Sequence, residues 1–219
     1  MAKKVGVLLS GCGVYDGTEI HEAVLTLLFL DRASVEIICT APNEEQYDVI
    51  NHFMGKQADE KRNVLIESAR ISRGKIKDLK DLKASDLDAI IIPGGMGAVK
   101  NLSNFMNEGA DAKVHPEVKR ILIEMNRASK PIGAICISPA VIAKVFCDNK
   151  PEVTIGNEKN TAQTIESMGA IHKTCTVDMI CVDNKNKIVT TPAYMLGPSI
   201  KDVAVGIEKL VAKILEFLV

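Results

Sequence analysis

The chain lacks a marked excess of charge and lacks any long apolar run. Its 219 residues carry 27 Lys and Arg against 28 Asp and Glu, which gives a formal net charge of −1. This balance provides no electrostatic surface for nucleic acid or acidic lipid. No segment approaches the roughly 20 apolar residues that cross a bilayer, and the first apolar run, residues 5–9, is too short for a signal peptide. We therefore expect no nucleic-acid partner and no membrane partner.

The sequence also lacks the cysteine and histidine spacings of metal sites and redox motifs. Six cysteines are present but no CxxC pair, and Cys39, Cys136 and Cys181 lie within or at the ends of apolar, strand-like runs. Buried thiols of this kind favour a reducing compartment over a disulfide framework. We predict a cytoplasmic protein that holds no metal and no cofactor.

Short apolar runs alternate with segments of helical periodicity. Strands are predicted at residues 5–9, 35–39, 87–92, 153–155, 179–182 and 187–191, with a further strand that ends at Cys136. Thr18 is predicted to cap the first helix, and Ser199 with Asp202 to form a capping box at the last. Continuous apolar strands between helices are typical of a sheet that is covered on both faces. The sequence predicts an α/β fold with three layers, a mostly parallel sheet and a hairpin near the end.

Residues 43–84 are too long for a simple crossover between two strands. Structureless loops rarely exceed about 15 residues, so we expect this insertion to carry its own elements, including a helix near residues 63–69. We interpret residues 1–219 as one domain with an insertion at about 43–84. A lid, a subunit contact and a solvated decoration all remain open for it.

Cys136 stands out because of the residues around it. It ends a predicted strand in Pro131-Ile-Gly-Ala-Ile-Cys-Ile-Ser-Pro-Ala140, where Pro139 suits the first turn of a helix. A strand-to-helix turn exposes a nucleophile and directs free backbone N–H groups at its target, which also favours a lowered thiol pKa. Gly95, in the turn Pro93-Gly-Gly-Met-Gly-Ala98, and Ile137 are the predicted oxyanion donors. A buried structural cysteine is the alternative.

Two of these motifs resemble a known superfamily. The Ile-Ile-Pro-Gly-Gly-Met-Gly-Ala turn and the Ala-Ile-Cys turn are similar to the PfpI-like branch of the class I glutamine amidotransferase superfamily. Ser10-Gly-Cys-Gly-Val-Tyr-Asp-Gly-Thr-Glu-Ile-His-Glu22, Lys100-Asn-Leu-Ser-Asn104 and Ile188-Val-Thr-Thr-Pro-Ala-Tyr-Met195 resemble the ElbB proteins. These are called enhancing-lycopene-biosynthesis or isoprenoid-biosynthesis proteins and are also described as glyoxalases. The resemblance spans the chain and implies a flavodoxin-like fold with a nucleophilic Cys136.

The resemblance also implies a carboxylic acid that contacts the cysteine. Glu19 and Glu22 are the candidates, and the spacing to Ser34 in related proteins favours Glu22. Many relatives carry a histidine about twenty residues after the cysteine, but residues 152–157 contain none.

Other side chains are accessory candidates. His52 could reach the site from the insertion, and His172 from the C-terminal region. His21 is expected to point elsewhere and His115 to lie in a surface loop. Cys12 could act as a resolving thiol or line the pocket, although a small residue that fills a tight loop is the simpler interpretation.

Three functions follow from these residues and the resemblance. The first is a glutathione-independent lyase of glyoxalase type, in which Cys136 adds to glyoxal or methylglyoxal, Glu22 moves the proton, and a 2-hydroxy acid is released. The second is a redox or stress-responsive protein in which Cys136 oxidises reversibly. The third is an amidase or peptidase, which would need His52 or His172 beside Cys136. Relatives are usually oligomers, so a homodimer is expected.

Overall fold

A computed structural model describes residues 3–219, which contain eleven strands and eight α-helices. The strands are β1 (Lys4–Leu8), β2 (Glu36–Ala41), β3 (Ile50–Asn51), β4 (Lys56–Gln57), β5 (Lys77–Asp78), β6 (Ala89–Ile92), β7 (Ile132–Ile135), β8 (Glu152–Val153), β9 (Ile171–His172), β10 (Cys181–Asp183) and β11 (Ile188–Thr191). The helices are α1 (Ile20–Arg32), α2 (Val64–Ile71), α3 (Met96–Lys100), α4 (Phe105–Glu108), α5 (Pro116–Arg127), α6 (Pro139–Val145), α7 (Lys159–Ser167) and α8 (Ile200–Glu216).

Seven strands form the central sheet in the order β10-β11-β7-β6-β1-β2-β5. All neighbours in it pair in parallel except β10 and β11, which form the antiparallel hairpin at one edge. Each face of the sheet carries its own apolar core, one that includes side chains of α5 and α6 and one that includes side chains of α1 and α8. The predicted three-layer α/β fold with a mostly parallel sheet is confirmed.

Parallel pairing brings three loops to the carboxyl edge of the sheet. β1, β6 and β7 are neighbours, so the loops that follow them lie side by side. The loop after β1 leads to α1, the loop after β6 carries Gly94 and Gly95, and the loop after β7 carries Cys136. This edge is where open α/β sheets place ligands.

The insertion carries its own elements, as predicted. Residues 43–84 contain the β3–β4 hairpin, α2 and β5, and α2 extends beyond the predicted helix at 63–69. The insertion packs on the loop after β1, because the Ile50 N–H donates to Asp16 Oδ2 at 2.7 Å and the Gly11 N–H donates to Ser68 Oγ at 2.8 Å. The count of one domain remains a prediction.

Both predicted helix caps are wrong in detail. Glu19 is the N-cap of α1, while Thr18 is diverted and its Oγ1 accepts from the Ser10 N–H at 2.7 Å. Ser199 is the N-cap of α8 but makes no capping bond to the helix backbone, because its hydroxyl contacts the Asp202 carboxylate at 2.5 Å instead. No helix within residues 3–219 has the combined length and apolar character that crossing a bilayer requires.

Candidate active site at the Cys136 turn

Cys136 lies directly after β7 in a strained backbone conformation. Its φ is +62°, in the left-handed region that a non-glycine residue adopts at a cost of about 1–2 kcal/mol. The turn is held by the Cys136 N–H, which donates to Thr191 O at 2.9 Å, and by Ser138 Oγ, which donates to Pro93 O at 2.7 Å. Pro139 begins α6, so the backbone passes from strand to helix within three residues. The predicted strand–helix turn is therefore present, and Cys136 is buried, with 7% of its surface exposed.

The Glu22 carboxyl lies against the Cys136 sulfur, and each group shifts the pKa of the other. Glu22 is fully buried on the first turn of α1. Its Oε2 accepts from the Gly94 N–H at 2.8 Å and its Oε1 accepts from the Tyr194 N–H at 3.2 Å. The carboxyl is thus held by two backbone donors from two different loops.

The backbone N–H groups of Gly95 and Ile137 are directed at the Cys136 sulfur, where both favour the thiolate. These are the two residues that the sequence predicts as oxyanion donors. Both lie beside the nucleophile, and their role toward a substrate oxygen remains a proposal.

Two glycines allow this close assembly. A Cβ at Gly94 would lie 2.5 Å from Cys136 Cβ and 2.7 Å from Glu22 Oε2. Gly95 has a φ of +95°, and a Cβ there would lie 2.4 Å from the Glu19 nitrogen. No side chain fits at either position without displacing the thiol, the carboxyl or the start of α1.

Glu19 and Glu22 occupy different positions although they are three residues apart on one helix. Glu19 Oε2 accepts from the Glu22 N–H at 2.7 Å, so Glu19 caps the helix and Glu22 contacts the sulfur. Burial raises the pKa of Glu19, and the charge of Glu19 adds to the effect of burial on Glu22.

Burial dominates the titration of the pair. It raises the pKa of Glu22 to about 8, with a smaller contribution from the charge of Glu19. It also raises the pKa of the Cys136 thiol well above its usual range, and the Glu22 charge adds to this. The lowered thiol pKa that we predict from the helix N-terminus is therefore wrong for this environment, because desolvation outweighs the N–H groups of Gly95 and Ile137.

Each of the four histidines, all within residues 3–219, directs a ring nitrogen at a residue other than Cys136. His52 accepts from the Tyr15 N–H at 3.2 Å, which ties the insertion to the loop after β1. His172 accepts from the Ile155 N–H at 3.3 Å, and burial lowers its pKa.

The other two histidines each contact a side chain from a distant part of the sequence. The exposed His21 contacts the Tyr194 hydroxyl at 2.8 Å through Nδ1. His115 is predicted to lie in a surface loop. Its side chain instead caps α5, and its Nε2 contacts Glu44 Oε1 at 2.8 Å.

Cys12 is half-buried beside α2. Burial raises its thiol pKa, the charge of Glu67 adds to this, and Arg70 opposes it. Cys12 thus has charged neighbours from the insertion.

Sequence reasoning missed the role of Tyr194. The residue before it, Ala193, has a φ of +44°, a left-handed conformation at the end of β11. That turn leads into the Tyr194 N–H that binds Glu22. The motif containing Tyr194 contributes to the resemblance, but nothing in its residue types indicates a backbone donor.

Comparisons with known proteins place these residues in a wider context. No family model matches the chain. It is 48% identical to the human glutamine amidotransferase-like class 1 domain-containing protein 3, mitochondrial, with 98% of this chain and 83% of that protein covered. It is 47% identical to the rat ES1 protein homolog, mitochondrial, at coverages of 97% and 83%.

Solved structures show the same fold. An isoprenoid biosynthesis protein with amidotransferase-like domain from Ehrlichia chaffeensis is 40% identical and superposes with a TM-score of 0.91, over 98% of this chain and 99% of that one. Drosophila melanogaster DJ-1beta shares the fold at 18% identity and a TM-score of 0.59, over 99% and 96% of the two chains.

Proposed function

Because this chain belongs to the family of ES1-type proteins with a class I glutamine amidotransferase-like domain, we propose that it is a cofactor-independent enzyme of glyoxalase type. Its substrates would be small dicarbonyls such as glyoxal and methylglyoxal. The observation that carries the proposal is the contact between the Cys136 thiol and a buried carboxyl, with two backbone N–H groups directed at the same sulfur.

The proposed reaction needs no oxidant and no bound cofactor. When the Cys136–Glu22 pair has lost one proton, the sulfur adds as thiolate to the aldehyde carbon. The new C–S bond turns the carbonyl oxygen into an oxyanion, which the N–H groups of Gly95 and Ile137 stabilise and the Glu22 carboxyl protonates. The product of this step is a hemithioacetal on Cys136.

Glu22 then acts as the base and acid of an isomerisation. Its carboxylate takes the proton from the carbon bonded to sulfur and passes it to the oxygen of the neighbouring carbonyl, which gives an enediol. The carboxylate then takes the hydroxyl proton from the sulfur-bearing carbon and delivers it to the neighbouring carbon, which leaves a thioester of the 2-hydroxy acid. Water cleaves the thioester and restores the thiol. The net change is the addition of one water, so glyoxal gives glycolate and methylglyoxal gives lactate.

Methylglyoxal consumption by purified variants tests this proposal. We expect Cys136→Ala to abolish lactate formation and Glu22→Gln to lower it at least about a hundredfold, as removal of a general acid–base does. Cys147→Ala, which changes a partly exposed cysteine on another loop, is the matched control and should retain full activity. Equal consumption by Cys136→Ala and wild type would refute the proposal.

A reversible redox function of Cys136 is the second candidate. The N–H groups of Gly95 and Ile137 would hold an oxygen of a Cys136 sulfenic acid as well as an oxyanion. Mass spectrometry after mild peroxide treatment separates the two candidates, because resistance of Cys136 to oxidation would exclude the redox function.

The amidase or peptidase alternative has less support, since each histidine directs a ring nitrogen at a residue other than Cys136.

A homodimer and a cytoplasmic location complete the proposal. The insertion exposes Tyr47, Phe53, Met54 and Ile66, with Phe53 99% exposed, and a second copy would cover such side chains. Sedimentation of wild type and Phe53→Ser tests the contact.

All six cysteines are free, which suits a reducing compartment. The human and rat relatives are named mitochondrial, so recovery of this protein with mitochondria on cell fractionation would contradict the cytoplasmic location.

A further inference from the structure

The outer edge of β2 is open over much of its length. β5 is only two residues long and pairs with Thr40 and Ala41 alone. Ile37 lies before this pairing, and no loop hydrogen bond within residues 3–219 joins its backbone to the segment beyond it.

The ladder between β2 and β1 shows which backbone groups face this open edge. The Glu36 N–H donates to Lys3 O at 2.9 Å and Thr40 O accepts from the Leu9 N–H at 2.8 Å, so these even-numbered residues face β1. The N–H and C=O groups of Ile37 and the N–H of Cys39 therefore point outward, while the Cys39 C=O is used in the pairing with β5. An added strand would meet a ready set of donors and acceptors here.

Two cavities adjoin the open edge. One, of about 470 Å³, lies between α1 and the end of α2 and is lined by apolar side chains that include Val24, Leu28 and Ile71. The other, of about 350 Å³, lies between β2 and residues 75–77 and includes Ile38. Ile37 packs with the core on the α1 side of the sheet and Ile38 with the core on the opposite side. Apolar side chains next to the open edge are therefore found on both faces of the sheet.

The rim of these cavities is cationic. Arg73, Lys75 and Lys77 are exposed and form no ion pair within residues 3–219. Of the acids nearby, Glu36 is paired with Lys4 at 3.8 Å, which leaves Asp31 as the acid that lines the larger cavity. This charge favours an acidic partner over a basic one.

We propose that the β2 edge binds a short extended peptide segment of a partner protein, in which apolar and acidic residues alternate. Side chains of a strand point alternately to opposite faces, so a segment of about four residues would place apolar side chains against Val24 and Leu28 and acidic ones toward Lys75 and Lys77. A purely apolar ligand fits less well, because it would cover the outward N–H and C=O groups of Ile37 without pairing them. The alternative role of Lys75 and Lys77 is to prevent the β2 edge from pairing with strands of other molecules.

Fluorescence anisotropy with a labelled heptapeptide of alternating glutamate and leucine tests this on the full chain. We expect saturable binding that N-methylation of the alternate amides on one edge of the peptide abolishes. The double variant Arg73→Glu, Lys75→Glu should weaken binding by about tenfold or more, whereas the double variant Lys159→Glu, Lys185→Glu, an equal charge change at exposed lysines elsewhere, should not. Ile37→Pro removes an outward donor and no bond to β1, and should also lose binding.

Several results would overturn the proposal. These are equal binding of the N-methylated peptide, binding unaffected by the Arg73 and Lys75 changes, and no binding of the parent peptide at millimolar concentration. Sedimentation tests whether a second copy of the chain binds this edge instead of a peptide. A wild-type dimer that Val24→Glu converts to monomer would show that it does. Because the peptide comparison uses wild-type protein, it stands even if a variant fails to fold.

Discussion

At the scale of single residues, Cys136 and Glu22 behave as one titrating unit. Both are buried. The Glu22 charge raises the pKa of Cys136, whereas the hydrogen bond with Cys136 lowers the pKa of Glu22 against the larger effect of burial. The backbone donors around them come from Gly94, Gly95, Ile137 and Tyr194. The loss of a proton near pH 8 therefore belongs to the pair and creates its reactive form.

Replacing Glu22 by Gln should shift the thiol titration downward. The Glu22 charge raises the pKa of Cys136, so its removal lowers the pH at which the thiol becomes reactive. The measurement is the rate of iodoacetamide alkylation of Cys136 against pH, followed by mass spectrometry. Glu158→Gln changes a half-buried carboxyl that caps α7, on another element, and serves as control. A midpoint for Glu22→Gln equal to or above that of wild type would contradict the coupling.

Gly94→Ala should damage both stability and the site. Its methyl group would lie within 3 Å of Cys136 Cβ, Glu22 Oε2 and Ile135 O, and overpacking of this kind costs about 1–3 kcal/mol. Urea unfolding measures the loss and alkylation measures the thiol. Gly55→Ala is the control, because open space surrounds it and only its φ of +64° penalises the change, by about 1 kcal/mol. Unchanged alkylation in Gly94→Ala would show that the loop yields easily.

Part of the site could be predicted from the sequence and part could not. Cys136, Gly95 and Ile137 follow from small residues and prolines at a strand end. Helix geometry alone does not separate Glu22 from Glu19, because they lie three residues apart, so the choice of Glu22 rests on the spacing to Ser34 in related proteins. The structure separates the two through the cap that Glu19 forms. The Tyr194 donor depends on the left-handed backbone of Ala193, which leaves no trace in residue type.

At the scale of elements, α1 and α5 end in the same way. Ser34 and Ser129 have φ values of +54° and +53°, and the following residues, Val35 and Lys130, donate back to Leu30 and Met125. Glycine is the usual residue at this position.

Ser34→Gly and Ser129→Gly should each stabilise the protein by about 0.5–1 kcal/mol, because glycine adopts this conformation without a Cβ penalty. Chemical unfolding curves measure the gain. Ser→Ala at the same positions keeps the penalty and should give no gain. If glycine destabilises the protein, the added conformational entropy of the unfolded chain outweighs the gain from removing the Cβ penalty.

Element prediction succeeded where the sheet is covered and failed where elements are short. The strands near 5–9 and 87–92 are largely continuous apolar runs because helices cover both faces. The strand at 187–191 is predicted instead from the hairpin turn that precedes it. The two-residue strands β3, β4 and β5 are too short to show a periodicity. The cap of α1 was missed because glutamate is not a common N-cap, whereas Thr18 is the common type and bonds elsewhere.

At the scale of the whole molecule, burial of one carboxylic acid makes stability depend on pH. The pKa of Glu22 rises from an ordinary value of 4.5 to about 8 on folding, so the folded state binds the extra proton between these values. The contribution of Glu22 is fully present below about pH 4.5 and is lost as the pH rises through 8. Its slope approaches about 1.4 kcal/mol per pH unit in between.

Urea unfolding of wild type and Glu22→Gln at pH 5 and pH 8 measures this contribution. Other titrating groups act in both proteins, so the difference between them isolates Glu22. We expect wild type to lose a few kcal/mol more than the variant on going from pH 5 to pH 8. Parallel losses would show that Glu22 is ionised in the folded protein at both values.

The backbone hydrogen bonds around the two carboxyls also provide built-in spectroscopic probes. The Gly94 N–H donates to Glu22 and the Glu22 N–H donates to Glu19. Ionisation of either carboxylate would move the amide proton resonance of its own donor, so nuclear magnetic resonance could follow the two acids separately in the unmodified protein. The charge state of the site could then be read at every pH without any reagent that consumes the thiol.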